Sequence, residues 1–64
     1  MNTIDPNTYT QLSREYHAAH ERRAALQERR RHGETGLASA ITREEREIRR
    51  LAEELGLIPR RRAA

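Results

Sequence analysis

Residues 26–41 read LQERRRHGETGLASAI, and Gly33 and Gly36 break what is otherwise a continuous helical pattern. Glycine reaches the left-handed conformations that end a helix, so the four residues Gly33, Glu34, Thr35 and Gly36 mark a change of direction. Before them, Tyr9, Leu12, Tyr16, Ala19 and Leu26 recur at steps that place them on one helical stripe, with Arg23 standing where the stripe would continue. After them the pattern resumes at Leu37, Ile41, Ile48, Leu51 and Leu55, interrupted by Glu44. Short connections leave two helices little alternative to lying antiparallel. The expected fold is therefore all-α: an antiparallel two-helix hairpin over about residues 6–32 and 37–55, completed by self-association into a helical bundle.

The ends of the helices have their own signals. Asp5 before Pro6 suits a helix start, because the carboxylate accepts from free first-turn amides and proline has no amide to lose. Thr8 with Gln11 offers a second capping box. Thr42 with Glu45 offers another in the second helix, which leaves residues 37–41 as either a preceding turn or the first turn of that helix. Gly56 can take a left-handed conformation, Leu57 can fold back on the last turn, and Pro59 forbids continuation. The chain thus divides into a hairpin with a short N-terminal lead-in over 1–59 and a flexible basic tail over 60–64.

Folding about the loop is expected to bring Leu26 near Ile41 and Ile48, Ala19 near Leu51, and Tyr16 near Leu55. Arg29, Arg30 and Arg31 end the first segment, while Glu44, Glu45 and Glu47 open the second, so opposite charges are expected to meet at the closed end and to suit each helix dipole. Along the second helix, Glu45, Arg49 and Glu53 form one four-residue ladder, and Arg50 with Glu54 forms another.

Composition narrows the class of protein. The chain has 64 residues, and a core this small leaves much surface uncovered. With no Cys, disulfides and thiolate metal sites are absent, so association is the expected compensation. No stretch approaches the roughly 20 apolar residues of a membrane span, and the start Met1-Asn2-Thr3-Ile4-Asp5 lacks the order of a signal peptide, which predicts a soluble, cytoplasmic chain. All 13 cationic residues are Arg, and the formal net charge is +3. Arg makes bidentate anion contacts that Lys does not, although it also sits on ordinary solvated helix faces.

Candidate chemistry is sparse. His17, His20 and Glu21 lie within little more than one turn and His32 lies further on, but no Cys or second histidine pair supports a zinc site, and His17 with Glu21 reads as an exposed four-residue pair. Ser13 and His17 share a helix face, yet a two-helix chain offers no enclosed pocket in which to activate a nucleophile. The Gly33–Gly36 segment lacks the Lys and the preceding strand of a phosphate loop. Neither an enzymatic activity nor a cofactor, metal or small-molecule substrate is expected.

A basic edge for nucleic acid is a second candidate, formed by Arg22, Arg23, Arg29, Arg30 and Arg31 together with the tail residues Arg60, Arg61 and Arg62. Acids temper it. Residues 14–32 carry six Arg against three Glu, whereas residues 33–58 carry four Arg against six Glu. Leu51, Ala52, Leu55, Gly56 and Leu57 resemble the first half of a helix-turn-helix at those positions alone. Residues 58–64, with Pro59 near their start, are too short for a recognition helix, so the stretch is read as a capped helix end.

The functional expectation is a non-enzymatic helical interaction module that self-associates or docks on a partner protein, without membrane binding. Its interface would draw on Tyr9, Leu12, Tyr16, Ala19, Leu26, Leu37, Ile41, Ile48, Leu51, Leu55, Leu57 and Ile58. The alternative is a small nucleic-acid-binding accessory protein that uses the arginine edge and tail.

Overall fold

The computed structural model describes residues 5–60 and contains two α-helices, α1 (Pro6–Arg31) and α2 (Ala38–Glu54), packed as a hairpin. Met1 to Ile4 of the lead-in, and Arg61 to Ala64 of the tail, lie outside the described residues.

Asp5 precedes α1 with φ −56° and ψ 137°, the extended geometry that a following proline imposes. Its backbone carbonyl accepts the first helical hydrogen bond, from the Tyr9 amide at 2.9 Å. The carboxylate does not cap the amides; Oδ2 instead accepts from the Thr8 hydroxyl at 3.5 Å. Thr8 lies inside the helix, so the Thr8–Gln11 box is not a start.

Both helices end in the same way. At the end of α1 the Gly33 amide donates to the Arg30 carbonyl and the Glu34 amide to the Arg29 carbonyl, each at 3.1 Å. At the end of α2 the Gly56 amide donates to Glu53 at 3.1 Å and the Leu57 amide to Ala52 at 2.9 Å. These paired bonds form the Schellman cap, which satisfies carbonyls that the helix leaves open and needs a left-handed residue at its centre. Gly33, with φ 96°, and Gly56, with φ 77°, fill that position. The sequence 51–57 is thus a capped helix end.

The second helix starts at Ala38, so residues 38–41 form its first turn, and Leu37 is the N-cap without a side-chain cap bond. Packing decides this over local capping: Leu37 and Ile41 are both buried, and a start at Thr42 would forfeit the helical turn that brings them inward together. Glu45, the other half of the expected box, bonds to Arg23 instead.

The core comprises Ala19, Leu37, Ile41, Leu51 and Ala52, with Leu51 the largest fully buried side chain. Ala19 and Ala52 are small, so they add little apolar area to it. Leu12, Tyr16, Leu26, Ile48, Leu55 and Ile58 are half-buried along the same seam.

Ion pairs join the two helices: Arg22 bridges to Glu44 at 3.0 Å and Arg23 to Glu45 at 3.0 Å. At the closed end the Glu34 amide bonds to the Arg29 carbonyl, so the chain turns back at Gly33 before α2 begins.

Candidate interaction surfaces

The first surface is the apolar seam, which the two helices cover only in part. At 26 residues α1 outruns the 17 of α2, so with the two helices paired from the loop its first two turns extend beyond the end of the shorter helix. Tyr9, in that overhang, is 47% exposed, and Leu57, just past α2, is 56% exposed. These are the two large apolar side chains that stand farthest into solvent among the described residues. Leu12, Leu55 and Ile58, also expected at an interface, lie half-buried between them and the core.

Two ion pairs flank the middle of the seam. Arg22 and Arg23 are adjacent on α1, about 100° apart around its axis, and Glu44 and Glu45 are adjacent on α2 in the same way, so the bridges clasp the seam from its two sides. Arg22 Nε donates to Glu44 Oε1 at 3.0 Å and Arg23 Nε to Glu45 Oε2 at 3.1 Å. These residues are the two polar interruptions of the stripes, Arg23 and Glu44, and their immediate neighbours.

The expected meeting of Arg29, Arg30 and Arg31 with Glu44, Glu45 and Glu47 does not occur. Arg29 Nε donates to Glu34 Oε1 at 2.9 Å, and a second guanidinium nitrogen reaches Glu34 Oε2. Arg31 turns to Glu28 on its own helix at 2.9 Å, and Glu47 is taken by Arg50. The cap supplies the cause, since it places Glu34 beside Arg29 before the second helix begins. All three arginines do occupy the last turn of α1, where cations complement the helix dipole. Of the ladders, Arg49 with Glu53 and Arg50 with Glu54 form at 3.4 Å each, while Glu45 is held by Arg23.

The guanidinium contacts hold two carboxyls below their ordinary value of 4.5. Hydrogen bonds from Arg29 lower Glu34, and hydrogen bonds from Arg50 lower Glu47, with a smaller contribution from the charge of Arg22 across the seam. The same bonds raise Arg29 and Arg50.

Among the described residues, Arg14, Arg30, Arg43, Arg46 and Arg60 are exposed and have no carboxylate within ion-pair distance. Three of the arginines picked out as anion contacts, Arg22, Arg23 and Arg29, are therefore engaged across the seam or the loop, and Arg31 is paired within α1. Arg30 and Arg60 are not paired; Arg61 and Arg62 lie outside the described residues. Sequence reading missed Arg43 and Arg46. They lie on the α2 face opposite Ile41, Ile48 and Leu51, a placement that follows from the helical wheel once α2 is known to begin at Ala38. With Ala38, Ser39 and Thr42 they line a shallow, open depression, and Arg30 and Ala38 line a second one over the loop.

The histidines take aromatic and acidic neighbours. His17 and His20 set their rings edge-on to Tyr16, with centroids at 5.8 and 4.6 Å, while His32 Nε2 lies 3.0 Å from Glu28 Oε1. Among the described residues no three His, Asp or Glu side chains converge to hold a metal ion, and no helix is long and apolar enough to cross a membrane. No protein-family model, curated protein or solved structure matches the chain.

Proposed function

We propose that this chain is a non-enzymatic helical interaction module whose seam is completed by a second copy of itself, giving a four-helix bundle. The partial cover of the seam carries this reading: among the described residues Leu51 alone of the large side chains is fully buried, and Leu12, Tyr16, Leu26, Ile48, Leu55 and Ile58 are each left half-covered. A second hairpin would remove that apolar surface from water at about 25 cal/mol per Å². Charge favours a second copy as the occupant. The first helix holds six Arg against three Glu and the second four Arg against five Glu, so a two-fold pairing that sets α1 of one copy beside α2 of the other opposes unlike charges.

The test is a set of far-ultraviolet dichroism melts over a hundredfold range of protein concentration, because association stabilises the folded state by mass action. A midpoint that climbs with concentration is expected. Leu55→Glu, which places a charge on the half-buried seam, should abolish that climb. A midpoint independent of concentration would remove self-association from the reading.

A further inference from the structure

Pairing separates the arginines of this chain into two sets with different work available to them. Arg22, Arg23, Arg29, Arg31, Arg49 and Arg50 each bond a carboxylate, so a phosphate could engage them only by displacing that partner. Arg43 and Arg46 carry no such partner among the described residues, and they stand about 4.5 Å apart along the axis on the outward face of α2. Each acid of α2 is bonded to another arginine: Glu44 and Glu45 turn to α1, Glu53 bonds Arg49, and Glu47 and Glu54 bond Arg50. Ser39 and Thr42 add hydroxyl donors to the depression that the two arginines line, and unpaired Arg30 borders the adjoining depression through the shared Ala38.

We propose that this outward face of α2, with Arg43 and Arg46 at its centre, docks on the phosphate backbone of duplex nucleic acid. The complementarity is electrostatic. A duplex presents about one negative charge per 1.7 Å of its axis, and free guanidinium groups release the condensed counterions. The face points to a duplex over a single strand because single-strand binders add aromatic platforms on which bases stack, and α2 carries no Tyr, His, Phe or Trp. It reads charge and not sequence, since phosphate contacts orient a protein on the duplex without reporting base identity. The face lies opposite the seam, so the inference goes beyond self-association and does not depend on it.

The experiment is fluorescence anisotropy of labelled duplex DNA, duplex RNA and single-stranded DNA of unrelated sequences, each titrated with the full chain at several salt concentrations. The expected result is duplex binding at low salt that weakens as salt rises, with the DNA and RNA arms showing whether groove geometry matters. Arg43→Gln/Arg46→Gln should flatten the log–log salt dependence by about 1 to 2 and weaken binding alike across sequences. Arg and Gln have similar helix propensities, so the fold is retained, and dichroism checks this. Arg14→Gln/Arg60→Gln removes the same charge from unpaired sites off this face and should change the slope less. Equal loss in the two double variants would reduce the effect to net charge and overturn the assignment. No duplex binding at the lowest salt, or tighter binding to the single strand, would overturn it too. Sedimentation of the same variants reports self-association separately.

Discussion

Replacing Leu51 with Ala probes the hairpin where its packing is densest. Leu51 is fully buried in a core whose other members are Ala19, Leu37, Ile41 and Ala52. Truncating a buried leucine costs about 2 to 5 kcal/mol through lost transfer free energy and the cavity left behind. Here the low end applies, about 2 to 3 kcal/mol, because a seam one layer thick can collapse onto a gap and Ala gains a few tenths of a kcal/mol in helix propensity. Against a stability of about 3 to 10 kcal/mol for a chain of this size, that is a large share. At about 4 to 8 °C per kcal/mol the midpoint should fall by about 10 to 20 °C. Leu57→Ala is the internal comparison: its side chain is 56% exposed, and the change should stay within about 0.5 kcal/mol. The assay is a pair of dichroism melts at one protein concentration. If Leu51→Ala lost no more than Leu57→Ala, the seam would not be the source of stability and the packing argument would fail.

Three further outcomes follow from the caps and the charges. A Cβ at Gly56 would meet no atom within 4 Å, so Gly56→Ala should cost about 1 to 2 kcal/mol through its φ of 77° alone, whereas D-alanine there, introduced by chemical synthesis, should raise the midpoint. Arg22→Gln and Arg23→Gln should each lose about 0.2 to 1 kcal/mol at low salt and less as salt rises, while Arg46→Gln, in mid-helix and with no carboxylate partner among the described residues, should leave the melt nearly unchanged. Glu34 and Glu47 have carboxyl groups lowered on folding, so their stabilisation is present above pH 4.5 and is lost as the pH falls through their depressed folded values. An acid titration of the melt should show this loss, and Glu34→Gln/Glu47→Gln should shrink it.

The hairpin was legible because its signals agree at several levels: two stripes at helical spacing, glycines at both helix ends, and a proline on each side of the helical region. What escaped reading has a common cause in tertiary geometry. Ala52 is buried like Leu51, but a small side chain adds little to a hydrophobic pattern. Thr42 and Glu45 form a sound capping box in isolation, and burial of Leu37 and Ile41 overrides it. The Schellman turn after α1 brings Glu34 back beside Arg29, so that arginine is taken within the loop and not by the acids of α2. Which arginines are paired is set by tertiary contacts: Arg22 and Arg23 are taken by Glu44 and Glu45, while Arg43 and Arg46 join Arg30 among those left without a carboxylate partner in the described residues.

Sedimentation equilibrium of the full chain tests most directly the claim that one hairpin leaves its seam half-covered and a second copy completes it. The account predicts a mass that rises from that of the 7.5 kDa chain to twice that value as concentration increases, with Leu55→Glu held at the lower mass throughout. A species that stays at 7.5 kDa across the same range while melting cooperatively would contradict it, because the hairpin would then be stable with its seam open.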